Sequence, residues 1–151
     1  MTNYKVASLR IVEERTTNYT NKVNQADVAI EIFQKEIGNY DREVFAVLCL
    51  DTKGMPTYFG VVHIGSLNMS IVHPREIFKL AVLTNANSVI VGHNHPSGEL
   101  SPSPDDIEKT IQLNKAGEIL GIELLDHLIV SAAGGKSMRK ENNGWFINEK
   151  S

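Results

Sequence analysis

One apolar run in the chain is long enough to be a strand that is buried on both faces. Residues 44–50 (Val-Phe-Ala-Val-Leu-Cys-Leu) contain no charged or hydrogen-bonding side chain other than the thiol of Cys49. Their β-branched and aromatic content favours a central strand over an amphipathic surface strand. Residues 51–54 (Asp-Thr-Lys-Gly) are typical of a turn. We therefore expect residues 57–64 to form the antiparallel partner of this strand in a hairpin.

Apolar residues at helical spacing predict three helices. Residues 24–37 form an amphipathic pattern that a glycine ends, and residues 74–85 and 104–120 each begin with a proline. Proline is favoured at the first helical position because its nitrogen has no hydrogen to leave unpaired. Residues 74–85 are too apolar for a helix with one buried stripe, so we expect this helix to pack deeply.

Three further segments have the pattern of short strands. These are residues 5–12, 87–91 and 122–130, of which the second leads directly into a loop rich in turn residues. Strands and helices therefore alternate, with at least one hairpin. The sequence predicts a single α/β domain, built as a mixed β-sheet flanked by helices.

Length and charge restrict the function classes. The chain has 151 residues, 42% of them hydrophobic, which is enough for one domain that folds without a stabilising metal or disulfide. Its formal net charge of -3 removes the general attraction to duplex DNA, so strong DNA binding is not expected. The single cysteine, Cys49, can provide neither an intramolecular disulfide nor a multi-cysteine zinc site. It also excludes a zinc deaminase, which needs a Cys-x-x-Cys ligand pair.

Charged residues interrupt the first part of the sequence. Residues 1–15 therefore have neither the apolar core of a signal peptide nor a membrane span. We expect a cytoplasmic protein with no membrane partner.

Two histidines and one aspartate have the spacing of metal ligands. His93 and His95 follow the strand predicted at 87–91, and residues two apart on an extended chain can point the same way. Asp106 lies in the first turn of the next helix, beyond a loop that can fold back. Two imidazoles and one carboxylate are typical of a catalytic zinc site, because three protein ligands leave one tetrahedral position for water. The sequence thus predicts Zn²⁺ bound by His93, His95 and Asp106.

The same aspartate has a structural interpretation. Ser103, Pro104 and Asp106 also form the pattern of a helix capping box, which is a commoner feature than a zinc site. The two roles are compatible, because the start of a helix favours the anionic carboxylate that a metal also requires. The other histidines, His63, His73 and His127, are interpreted as structural or surface residues rather than ligands.

These motifs resemble a known family. The sequence H-x-H-P at 93–96 followed by S-x-x-D at 103–106 resembles the JAMM motif of JAB/MPN+ metalloprotease domains. The longer string His-Asn-His-Pro-Ser-Gly, with His-Pro-Arg-Glu at 73–76 and Leu-Asp-His at 125–127, is similar to the bacterial RadC branch. The resemblance implies the JAB/MPN architecture, which is cytidine deaminase-like. It divides the chain into an N-terminal strand and extension (1–23), a RadC-like JAB/MPN+ domain (24–140) and a C-terminal segment (141–151).

The resemblance implies a zinc-dependent hydrolase, a metallopeptidase or isopeptidase that cleaves a peptide or protein amide with an activated water. In that mechanism Glu43 is the catalytic base and the hydroxyl of Ser103 stabilises the oxyanion. From the residues alone, Glu43 is either a carboxylate that shares a face with Phe45 or the solvated first residue of a strand.

The sequence departs from the family pattern at two points, which concern DNA binding and substrate specificity. Residues 1–23 are too few for the helix-hairpin-helix region that RadC-like proteins often carry, which weakens the DNA-binding interpretation. Asn94 stands where deubiquitinating members usually have Ser or Thr, so specificity for ubiquitin is not implied. The alternative function is a DNA repair-associated or non-catalytic protein-interaction domain, and homo-oligomers are compatible with either interpretation.

Overall fold

A five-stranded mixed sheet with helices on both faces forms the domain in the computed structural model, which describes residues 1–66 and 68–147. The helices of at least one α-turn and the strands are, in chain order, α1 (Ala26–Ile37), β1 (Val44–Leu50), β2 (Pro56–Ile64), α2 (Pro74–Leu83), β3 (Ser88–Asn94), α3 (Pro104–Leu120), β4 (Glu123–Val130), β5 (Gly135–Ser137) and α4 (Met138–Glu141). Short 3₁₀ helices cover Met69–Ile71 and Asn143–Phe146.

The strand order is β2-β1-β3-β4-β5. β1 is antiparallel to both of its neighbours, whereas β3 and β4 are parallel and are joined by α3. The short β5 returns antiparallel to β4. The α/β class and the mixed sheet predicted from the sequence are therefore confirmed.

β1 separates two hydrophobic cores. All seven of its residues are buried, as the uninterrupted apolar run predicts. Phe45, Val47 and Cys49 belong to the core that contains the buried residues of α2 and α3. The intervening residues of β1, with Val44 first, belong to the core under α1. Because a strand alternates its side chains, only a fully apolar sequence can serve a sheet that is covered on both sides.

The polar end of β3 is part of the strand. β3 extends to Asn94 rather than ending at residue 91, because Gly92, His93 and Asn94 still pair with β4, and the first two also pair with β1. Since β1 is antiparallel to β3, this carboxyl end of β3 lies beside the beginning of β1. The ring of Phe45 stacks against that of His93 with centroids 5.9 Å apart.

The prediction of a strand at residues 5–12 is wrong. These residues have no strand structure, and Val6, Leu9 and Val12 are 92%, 78% and 86% exposed. A strand requires a neighbour that accepts its backbone hydrogen bonds, and the local apolar pattern does not supply one. The segment contacts the domain further along, through an ion pair of Arg15 with Glu36.

The proposed division of the chain stays a prediction. Residues 148–151 of the C-terminal segment lie outside the described residues. Phe146, which belongs to that segment, is buried in the same core as the residues of α2 and α3. Among the residues that the structure describes, no helix is long and apolar enough to cross a membrane.

The close approach of α3 to the chain that follows it depends on a glycine. A Cβ at Gly117 would lie 2.4 Å from the backbone oxygen of Ile122 and 3.3 Å from the ring of Phe78. We expect Gly117→Ala to lower the free energy of unfolding by about 1–3 kcal/mol despite the better helix propensity of alanine. Urea denaturation measures this change.

Gly134→Ala is the matched control, because its Cβ would meet only Leu100 Cδ1 at 3.6 Å, an ordinary contact. This variant should stay within about 0.5 kcal/mol of the wild type. Equal unfolding midpoints for the two variants would contradict the packing argument.

Candidate metal centre

Three side chains converge at the carboxyl end of β3. The Nε2 atoms of His93 and His95 are 3.0 Å apart, and Asp106 Oδ1 is 3.5 Å from His93 Nε2. The ligand atoms of all three residues lie within 4.8 Å of one another. Atoms bound tetrahedrally to zinc at about 2.0–2.1 Å are separated by roughly 3.3 Å, so this spacing suits one shared ion.

Hydrogen bonds fix the tautomers of the two histidines. His95 Nδ1 faces the carbonyl oxygen of Glu99, which can only accept, so this nitrogen carries the proton. His93 Nδ1 lies 2.8 Å from Nε2 of His127. With both Nδ1 atoms as donors, each Nε2 presents a lone pair toward the other and toward Asp106. A metal ion requires lone pairs that converge on one point, and these three side chains meet that requirement.

His127 is the central member of a hydrogen-bonded chain behind His93. Its Nδ1 is 2.7 Å from the hydroxyl oxygen of Thr110, and Thr110 donates to the backbone oxygen of Asp106 at 2.7 Å. The proton positions then run in one direction, from His93 through His127 and Thr110 to that carbonyl. Complete burial lowers the pKa of His127 well below its usual value. A neutral ring at His127 is the form that can accept from His93.

Sequence reasoning found no role for His127 at the site. It is not among the three residues that could hold a metal ion, but its ring contacts that of His93. His127 lies opposite Val91 in the parallel β3–β4 pair, a register that no local pattern reveals. The available signal was a histidine directly before the apolar residues that end a predicted strand, since a buried imidazole needs hydrogen-bond partners.

Asp106 both caps α3 and faces the histidines. Its backbone N–H donates to Ser103 Oγ at 3.1 Å, and its Oδ2 accepts from the backbone N–H of Ser103 at 2.9 Å. Its other oxygen, Oδ1, is the one directed at His93. Burial alone raises the pKa of Asp106, but the adjacent His93 ring and the backbone N–H of Ser103 outweigh it and lower the pKa well below its usual range. The capping and metal-binding interpretations therefore use different oxygens of one anionic carboxylate.

Glu43 lies at the beginning of β1, on the edge of the same site. It is half-buried, and its backbone oxygen accepts from Gly65 N–H at 2.9 Å. A cleft of about 440 Å³ joins it to the other candidates and is lined by Glu43, Asn68, Met69, His93, His95, Ser103, Asp105 and Asp106. The structure thus brings all five residues selected from the sequence to one cleft. Asn68 and Met69 form a wall that sequence reasoning did not include.

Comparison with known proteins identifies similar chains. A family model described as the RadC-like JAB domain matches residues 23–144. A UPF0758 protein of Finegoldia magna is 51% identical over 118 residues, which are 78% of this chain and 53% of that protein. A UPF0758 protein of Staphylococcus carnosus is 44% identical over 125 residues, 83% of this chain and 54% of that protein. The chain therefore spans about half the length of these relatives.

The hydrogen bond between His93 and His127 should affect the affinity for metal. His127→Ala removes the acceptor that holds the Nδ1 proton of His93, so the ligand loses its fixed orientation. We expect the affinity for Zn²⁺ to fall by about 10- to 100-fold, because partners of metal-bound histidines have effects of that size. Competition with a chromogenic chelator measures the affinity.

Thr110→Val tests the next member of the chain and should weaken Zn²⁺ binding in the same direction, whereas Thr110→Ser keeps the hydroxyl and the affinity. His73→Ala, which removes an exposed histidine, is the control. If His127→Ala folds and binds Zn²⁺ as tightly as His73→Ala, the orienting role of His127 is wrong.

Proposed function

The chain belongs to the RadC-like JAB domain family, and we propose that it is a zinc-dependent hydrolase that cleaves an amide bond. The observation that carries the proposal is the convergence of two imidazole nitrogens and one carboxylate oxygen in a cleft that Glu43 also lines. A catalytic metal site needs this combination of three protein ligands, access to water and a nearby base.

His93, His95 and Asp106 would hold the zinc ion. When bound, the ion supplies Lewis-acid activation and lowers the pKa of water to about 7. Glu43 then accepts the proton that water loses as it attacks the amide carbon, and it delivers this proton to the leaving amine. Its position at the entrance of β1 suits both steps, since the cleft gives the half-buried carboxylate access to substrate and water.

The hydroxyl group of Ser103 can donate a hydrogen bond to the oxyanion. Its Oγ accepts the N–H of Asp106, and this bond leaves the hydroxyl proton of Ser103 for a second partner. Ser103 is exposed at the cleft, where the carbonyl oxygen of a bound amide would gain negative charge. We propose that it donates to that oxygen while it caps α3, for a peptide or isopeptide substrate.

The decisive experiment separates metal binding from turnover. Glu43→Gln keeps the size of the side chain and all three ligands but cannot accept a proton. We expect Zn²⁺ to stay bound while amide hydrolysis falls by roughly 10²–10⁴-fold. The assay measures cleavage of a peptide and isopeptide library and the zinc content of the same samples.

His95→Ala is the matched control and should lose zinc and turnover together. Ser103→Ala should keep zinc and lose roughly 10²–10³-fold in turnover. Equal background rates for the wild type and Glu43→Gln on every substrate would remove the hydrolase proposal and favour a protein-interaction domain.

The relation to DNA is tested separately. With a net charge of -3, we expect duplex DNA to bind no more tightly than about 10⁻⁴–10⁻⁶ M at physiological salt, the range of non-specific association. Fluorescence anisotropy with a labelled duplex measures this affinity across salt concentrations. Nanomolar, sequence-selective binding would instead support the DNA repair-associated function.

A further inference from the structure

Asn94, between the two histidines, bonds to the backbone around Glu43 rather than to the candidate metal centre. Asn94 is fully buried, and its amide bonds to the backbone on both sides of Glu43. Its Oδ1 accepts the N–H of Val44 at 2.6 Å, and its Nδ2 donates to the carbonyl oxygen of Arg42 at 2.9 Å. The same Nδ2 lies 3.4 Å from the carbonyl oxygen of Tyr40.

These bonds continue the β1–β3 pairing beyond its last backbone pair. The ladder between the strands ends at Phe45 and His93. Past that point the side chain of Asn94 bonds to the incoming chain, while Gly65 N–H binds the carbonyl oxygen of Glu43 from the β2 side. The backbone that carries Glu43 is therefore held from both neighbouring strands.

A primary amide of this length suits the position. It offers an acceptor to Val44 and a donor to Arg42 at the same time, which a carboxylate cannot do because it only accepts. Serine has one hydroxyl on a shorter side chain and cannot span both backbone groups. Buried backbone groups that lose their partners are costly, so the segment would shift to find new ones.

We infer that Asn94 is a positioning residue for Glu43, setting the place of its carboxylate relative to the ligands His93 and His95. The inference rests on the proposed role of Glu43 as the base. Asn94 is covalently joined to both ligands and hydrogen-bonded around the base, so one residue fixes the separation between them. The ligands themselves have other supports, His127 for His93 and Glu99 for His95.

The kinetic test compares Asn94→Ala and Asn94→Ser with the control variant Gln34→Ala. Gln34 also donates to a backbone oxygen, that of Ser131. It is not among the residues lining the cleft. We expect unchanged Zn²⁺ affinity and a fall in kcat of about 10- to 100-fold for both Asn94 variants, with little change in KM. In a Glu43→Gln background the same substitutions should cause no further loss, because they act through Glu43. Lost zinc affinity, or an equal loss in that background, would overturn the inference.

A second readout needs no turnover. In protein loaded with Co²⁺, the paramagnetic shift of the Glu43 carboxylate carbon reports its position relative to the metal. Asn94→Ala and Asn94→Ser should change this shift and speed hydrogen exchange at the Val44 amide, while the Thr110 methyl shift stays the same. If the Glu43 shift and Val44 protection match those of Gln34→Ala, the inference is wrong. If both change as expected but the wild type cleaves no amide, the hydrolase proposal fails and the positioning role stands.

Discussion

The antiparallel pairing of β1 with β3 is the constraint on which the candidate site depends. It places the first residue before β1 beside the last residues of β3, so Glu43 and the two histidines meet although they are far apart in sequence. With parallel strands of seven residues, the same side chains would lie at opposite ends of the sheet, about 20 Å apart. The apolar sequence of β1 secures this arrangement, because it fills cores on both faces of the sheet.

Burial of polar groups at this end of the sheet is balanced by hydrogen bonds. Among residues 1–66 and 68–147, no buried side-chain nitrogen or oxygen lacks a partner. Desolvated polar groups are costly when unpaired, so His127, Thr110 and Asn94 do more than occupy space. The hydrogen bonds of His127 and Thr110 hold the ring of His93, whose Nε2 faces that of His95 at 3.0 Å. The geometry of the site thus depends on these buried polar partners.

The local features of the fold were predictable from the sequence, whereas contacts across strands were not. α3 has the predicted bounds because Pro104 and Gly121 mark its two ends, and β1 has them because its apolar run is unmistakable. The pattern at residues 5–12 gave the wrong result because strand formation depends on a partner. The spacing of the candidate metal ligands was visible in the sequence, but the contact of His127 with His93 arises from the register of two strands separated by α3.

The alternation of side chains along β3 explains how adjacent residues serve different parts of the site. His93 and His95 are two residues apart and so point to the same side, toward Asp106. Asn94 lies between them and points to the other side, where its amide meets the backbone of the chain entering β1. Moving a ligand by one residue would exchange these directions and separate the donor atoms. The His-x-His spacing is therefore set by the period of the strand, while the middle residue is set by the segment that carries Glu43.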